Sequence, residues 1–373
     1  MATNSKKSGR SEDTKMNSKS KKMSAKEKER RKRKKIVLFI VEIFILLIMV
    51  GVLYFVLKGE KVGKVELNAD KLVINEEVKQ REETTNMKGY RNIALFGVDS
   101  TTGALTKNTR SDTIMIASIN LDTGNCKLVS VYRDTYLNLS NDTYNKCNSA
   151  YAKGGPEMAI NMLNMNMDMN ITDFITVGFA GLTDTIDALG GIMVDVDSAE
   201  IHHLNSYQFT MAEDLKRPYK EVTETGYQLL SGLQATAYCR IRYTAGDDFK
   251  RAERQREVLM AVADKAKTAS PATLNQIAND VFSEIYTSLD LTEILELLGG
   301  ISKYNIVDQA GFPYEQYRTT GTIGSKGSCV IPVDLKENVE WLHKFLFDEE
   351  YTVSSDVQSY SDKIKSDTAS YIR

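Results

Sequence analysis

The sequence predicts an α/β domain, a mixed central β-sheet flanked by helices, preceded by a single transmembrane helix. Three observations predict it. Short β-rich runs alternate with segments of helical period, which favours a layered α/β sandwich. One uninterrupted apolar stretch is long enough to span a bilayer. The near-neutral total charge also hides a strong asymmetry. Residues 1–35 carry fifteen Lys/Arg against four Asp/Glu, near +11, and because the 373-residue chain sums to −2 the remainder is near −13.

The basic segment 1–35 has almost no large apolar side chain and is read as a cytoplasmic tail. Residues 36–57, IVLFIVEIFILLIMVGVLYFVL, give a helix roughly 33 Å long, which matches a hydrocarbon core of about 30 Å. A cleaved signal peptide has a shorter apolar region and a small-residue cleavage site, so the stretch is expected to remain as an anchor. The cluster Arg30–Lys35 on its N-terminal side places that end in the cytoplasm and the rest of the chain outside. The predicted localisation is the cell membrane, single-pass, with an extracytoplasmic domain. A lysine/arginine run also suits nucleic acid. Abutting an apolar span and lacking a helix-turn-helix pattern, it is read instead as a topology determinant touching anionic lipid headgroups, and no nucleic-acid partner is expected. Cys126, Cys147, Cys239 and Cys329 show no CxxC spacing and no nearby histidine cluster, which argues against zinc.

Residues 58–88 read as a polar stalk and 89–347 as one domain. NIALFGV (92–98), DTIMIASI (112–119) and CKLVSVY (126–132) are three strands, the last two joined as a hairpin by the turn NLDTGN. After Gly154-Gly155-Pro156, apolar residues at 158, 162, 165 and 169 mark a helix. Its methionines are read as core packing, with a pliable lipid tunnel as the alternative. A strand at 174–178, a helix ending at Gly190-Gly191 and the strand IMVDV follow. Long helices are expected at 251–267, 272–286, 290–300 and 334–347, and a polar tail at 348–373.

The chemistry is written at strand ends, where charge interrupts apolar runs. Asp99 follows the first strand, Arg110 and Asp112 open the second, and Arg133 closes the third. A hairpin of strands two and three brings Arg110, Asp112 and Arg133 to one edge, and Asp99 joins them if strand one pairs parallel to strand three. In CRIRYTAGDDFKRAERQ, read as a strand and then a helix, Arg240 and Arg242 share one strand face, opposite Cys239 and Ile241. Arg251 and Arg254 are neighbours on the helix. Guanidinium forks suit phosphate oxygens, and two carboxylates suit Mg²⁺ shared with phosphate. The combination fits a pyrophosphate.

In order and spacing, GVDS, RSDTIM, VYRDTY, KCNSAYAKGG, FITVGFAGLTDTIDALGGIMVDV and LLSGLQATAYCRIRYTAGDDFKRAERQR resemble the LytR-CpsA-Psr family over residues 91 to about 260. The resemblance implies a phosphotransferase moving a glycopolymer, teichoic acid-like or capsule-like, from undecaprenyl-pyrophosphate to peptidoglycan, with the lipid tail in an apolar tunnel. By matching motif it implies catalytic and metal roles for Asp99 and Asp112. It implies pyrophosphate binding by Arg110, Arg133, Arg240, Arg242, Arg251 and Arg254 with Gln255, and Mg²⁺ as cofactor. Lys146 and Asn148 fall in a segment beside the site. The alternatives are a hydrolase of the same lipid-linked glycan and a non-catalytic regulator. The chain departs from the family pattern at Gly178, at Gly246-Asp247-Asp248, where Asp248 is the residue that aligns, and at Cys147 and Cys239.

Overall fold

The structure, a computed structural model, describes residues 63–372 apart from residues 65–66, 68, 82, 101–104, 107, 243, 245, 271, 275–276, 278–280 and 282–283. The expected tail and spanning helix lie outside the described residues. Among the described residues no helix is long and apolar enough to cross a membrane.

In chain order the strands are β1 (Gly63–Lys64), β2 (Tyr90–Val98), β3 (Ser111–Asn120), β4 (Asn125–Val131), β5 (Tyr136–Asn138), β6 (Tyr144–Lys146), β7 (Asp173–Val177), β8 (Ile192–Val196), β9 (Gly226–Leu230), β10 (Ile285–Thr287), β11 (Asn305–Phe312), β12 (Arg318–Thr322) and β13 (Ser328–Pro332). The helices are α1 (Glu76–Arg81), α2 (Asn148–Met167), α3 (Phe179–Ala188), α4 (Ser198–Asp214), α5 (Gly232–Tyr238), α6 (Asp247–Lys267), α7 (Leu291–Gly299), α8 (Leu335–Phe347) and α9 (Ser355–Thr368). Seven strands form the central sheet in the order β1-β10-β7-β2-β3-β4-β11. It is mixed, as expected: β2–β3, β3–β4 and β10–β7 are antiparallel, while β2–β7 and β4–β11 are parallel. The β3–β4 hairpin forms as predicted.

Alternation along each strand gives the sheet two apolar faces. Ala94, Phe96, Val98, Ile114 and Ile116 point into the larger core, with α2, α8 and α9. Ile93, Ala117, Ile119 and Leu128 point the other way, towards Leu259 and Met260 of α6 and Leu297 of α7. The core-packing reading of the methionines between 158 and 169 holds, because Met162, Met167 and Met169 are fully buried in the larger core and Met158 packs against it. This helix begins earlier than its periodicity suggests. A turn from residue 148 precedes a kink at Gly155, whose φ of 67° only glycine adopts freely, and Pro156 restarts the helix.

Three segments differ from their sequence reading. The segment from Cys239, read as a strand, instead follows helix α5, which is opened by a capping box in which Ser231 and Gln234 satisfy each other's backbone N–H groups. Burial of the whole helix hides its period. The run expected as helix over 272–286 ends instead in β10. Residues 355–368, in the expected polar tail, form α9, which buries Val357 and Ile364.

Candidate functional site

The ends of β2, β3 and β4 meet at one edge of the sheet. Val98 pairs with Ser111, so Asp99 and Asp112 flank adjacent strand ends. Asp99 arrives there through antiparallel pairing with β3. The parallel pairing of strand one with strand three, the condition under which Asp99 was to join the others, does not occur, because β3 lies between them. Gly97 is needed at this edge, since a Cβ there would lie 2.8 Å from the Thr113 side chain. Arg133 donates from Nη1 to Asp112 Oδ1 at 2.7 Å, the juxtaposition the hairpin predicts.

Opposite this edge stand the α5–α6 connection and the first turns of α6. Cys239 caps the C-terminal end of α5, and Arg240 and Arg242 follow in an irregular segment, not on a strand. The two-face assignment fails accordingly, and Cys239 lines the same cavity as both arginines. The Arg240 guanidinium lies 4.5 Å from the Phe179 ring, 5.2 Å from the Tyr207 ring and 3.9 Å from Asp99 Oδ2.

Asp248 is the hub that sequence reasoning left out of the site. Its Oδ1 lies 3.2 Å from Arg242 Nε, 3.1 Å from Arg251 Nη1 and 3.8 Å from Arg133 Nε. The loop Gly246-Asp247-Asp248 thus resolves in favour of Asp248. Its alignment and its place three residues before Arg251 were the available signals. Arg251 also donates to the Asp112 carbonyl at 3.2 Å.

A cavity of about 390 Å³ opens beside this cluster. Asp99, Asp112, Arg240, Arg242, Arg251 and Gln255 line the mouth, and Leu95, Met115, Ile175, Leu182, Leu259 and Val262 line its depth. The cavity sits between the second face of the sheet and α6. Its lining passes from apolar side chains to guanidiniums and carboxylates.

Burial and close charges set the electrostatics around the mouth. Burial presses the Arg251 guanidinium below its ordinary value, and neighbouring Arg133 adds to that, against the pull of Asp248 and Asp112. Burial also acts on Arg133, but Asp112, Asp248 and Asp134 outweigh it and hold the group above its usual value. Burial lifts the Asp134 carboxyl, helped by a hydrogen bond with Asp248, in excess of what Arg133 and Lys146 take back. The Nε atoms of Arg133 and Arg251 are buried with no hydrogen-bond partner among the described residues. An orphaned buried donor is costly, so such groups call for a ligand acceptor.

The remaining predicted residues fall elsewhere. Arg110 is exposed and lines a neighbouring hollow together with Arg133, Lys146 and Asn148. Arg254 is fully buried and turned away from the cavity. Its Nε reaches Glu200 Oε1 at 2.6 Å, its Nη1 the Ile241 carbonyl at 3.1 Å and its Nη2 Thr244 Oγ1 at 2.7 Å. Glu200 closes the capping box of α4 with Asp197. Arg254 therefore fixes the segment carrying Arg240 and Arg242 against α4. All four cysteines are free and buried. Burial pushes the Cys239 thiol up to about 12, so it is neutral. Cys147 donates to the carbonyls of Tyr132 and Arg133, each at 3.2 Å, and so supports the turn that presents Arg133.

The donor set at the mouth fits a hard cation only in part. Asp99 and Asp112 offer carboxylate oxygens, and among the described residues no three His, Cys, Asp or Glu side chains converge as a protein cage. Mg²⁺ commonly takes one or two carboxylates and completes its shell with phosphate oxygens and water. The pair fits such a shared site.

Residues 53–337 match the LytR_cpsA_psr family. Over 193 residues the chain is 31% identical to the polyisoprenyl-teichoic acid–peptidoglycan teichoic acid transferase TagV of Bacillus subtilis, covering 50% of this chain and 47% of that protein. It is 31% identical over 215 residues to TagU of Oceanobacillus iheyensis, which bears the same transferase name, covering 56% and 61%. The chain thus spans about half to three fifths of the length of these relatives. Among solved structures, a transcriptional regulator of Enterococcus faecalis superposes with a TM-score of 0.56 at 25% identity, covering 77% of this chain and 96% of that one.

Proposed function

This chain belongs to the LytR-CpsA-Psr family, and on that premise we propose that it transfers a glycopolymer from a polyprenyl-pyrophosphate carrier to peptidoglycan outside the cell membrane. One observation carries the reading: a single cavity joins an apolar lining to three arginines and two carboxylates. A polyprenyl chain fills the apolar part by removing apolar surface from water. Its diphosphate then lies at the mouth, where Arg240, Arg242 and Arg251 meet the oxygens as bidentate forks. The names of the teichoic acid transferases support the donor and acceptor classes. The basic segment 1–35 and the apolar stretch 36–57 support an anchored, extracytoplasmic placement.

In the proposed reaction a sugar hydroxyl of peptidoglycan forms a new bond to the phosphorus next to the glycan. The bond from that phosphorus to the bridging oxygen breaks, polyprenyl phosphate leaves, and the hydroxyl proton passes to a carboxylate, Asp99 or Asp112. The arginines hold the diphosphate in line and stabilise charge spread over the transferring oxygens. Asp99 and Asp112 would hold Mg²⁺, which supplies further neutralisation at the diphosphate when bound.

The test is transfer by the full-length chain in detergent, with a polyprenyl-diphosphate disaccharide and an uncrosslinked peptidoglycan oligomer. The expected products are glycan covalently joined to peptidoglycan and polyprenyl phosphate. Free phosphorylated glycan formed equally without acceptor would identify a hydrolase, and unchanged donor a non-catalytic binder. Arg240→Lys or Arg242→Lys keeps the charge and loses the fork, so kcat/KM should fall by an amount equivalent to roughly 1–3 kcal/mol. Unaltered kcat/KM in both variants would remove the arginines from the diphosphate.

A further inference from the structure

A second cavity, about 400 Å³, adjoins the first and differs from it in kind. Its wall is polar: Arg110, Lys146 and Lys326 stand around it with Asp134, Asn145 and Ser325. Arg242 belongs to both cavities, and the Arg133–Asp112 pair reaches from one to the other. The two cavities therefore meet at Arg242, on the polar side of the first.

The fold brings Lys326 here from far along the chain. Lys326 ends the short turn Gly324–Lys326 between β12 and β13. That hairpin is held against the segment after β4, because Val330 bridges Thr135 and donates its N–H to the Asp134 carbonyl at 2.9 Å.

Charge in the second cavity is not balanced. Lys146 Nζ lies 3.4 Å from Asp134, Arg133 is occupied by Asp112, and Arg242 by Asp248. Arg110 and Lys326 have no carboxylate partner among the described residues, and the Lys326 ammonium stands 5.7 Å from the Tyr136 ring. Two cations without carboxylate partners facing a polar hollow recognise an anion. The Asn145 and Asn148 amides and the Ser149 and Ser325 hydroxyls around them match the hydroxyls of a sugar.

We propose that the second cavity binds a saccharide through an anionic substituent, phosphate or carboxylate, held by Arg110 and Lys326. The proposal rests on the functional reading above and adds a subsite to it. The anionic sugar has two sources, the glycan of the donor continuing past its diphosphate, or the acceptor glycan.

Lys326 takes no part in the machinery at the mouth, so it is the position to change. Calorimetric titration of the full-length protein with N-acetylglucosamine 6-phosphate should show binding. That binding should weaken about tenfold or more in Lys326→Glu and persist in Lys326→Arg, while neutral N-acetylglucosamine binds more weakly than the phosphate to the wild type. In the transfer reaction Lys326→Glu should raise one KM with kcat changed less than about twofold. A rise in the donor KM assigns the cavity to the donor glycan, and a rise in the acceptor KM assigns it to the acceptor. Sugar phosphate binding lost in Lys326→Glu upholds the subsite even where no transfer is detected, which overturns only the functional reading. Intact transfer with binding and both KM values unchanged in Lys326→Glu overturns the subsite and leaves the function standing.

Discussion

Asp112→Asn and Asp99→Asn should each reduce glycan transfer about a hundredfold or more while the protein stays folded, the scale seen when one preorganised group is removed from charge developing in a transition state. The two differ in mechanism. Asp112 also accepts from Arg133 at 2.7 Å, so its loss frees an arginine that is already short of partners. Asp99 is half-exposed and 3.9 Å from Arg240, so its replacement leaves the local packing untouched. Asp99→Asn should therefore keep the wild-type unfolding midpoint, whereas Asp112→Asn shifts it measurably. If Mg²⁺ is shared between these carboxylates and the diphosphate, raising its concentration should partly restore Asp99→Asn. Full activity in both variants would place the chemistry elsewhere.

The second large effect is on stability. Arg254→Ala leaves the Glu200 carboxylate buried without its cation, and breaking a buried pair in this way costs roughly 3–5 kcal/mol. It also orphans the Ile241 carbonyl and the Thr244 hydroxyl. The urea midpoint of Arg254→Ala should fall steeply, and the double variant Glu200→Gln with Arg254→Met should recover part of the loss because no charge is then stranded. Wild-type stability combined with lost donor binding would show that Arg254 meets the substrate, as the family motif alone implies.

How much of this was legible follows from where each interaction lies in the chain. Asp99, Asp112 and Arg133 sit at the ends of three consecutive strands, so alternation and one turn signal were enough to bring Asp112 and Arg133 together. Strand order was not local. β7 inserts beside β2 and β11 adds beside β4, pairings separated by scores of residues that no periodicity encodes. The segment around Arg240 was misread because α5 is buried on every side, which removes the amphipathic pattern and leaves the Ser231/Gln234 capping box as the readable sign. The Asp197/Glu200 box at the start of α4 was equally available, and with it a reason to expect a buried partner for Glu200. Arg254 looked like a binding residue because helical spacing places it near Arg251. Spacing does not tell which of two neighbours turns inward. The turn bearing Lys326 carries no motif, and only the β12–β13 pairing delivers it to the second cavity.

If the apolar cavity houses the lipid of a diphosphate-linked glycan, mass spectrometry of lipid retained by the full-length protein after detergent extraction from its own membranes will find it there. Val262 is half-buried and lines the apolar part, so Val262→Trp should fill the cavity from α6 without touching the mouth. The wild type should carry a polyprenyl chain bearing diphosphate and sugar, and Val262→Trp should carry none. No polyprenyl lipid on the wild type, or the same amount on both proteins, would mean that this cavity does not hold the lipid.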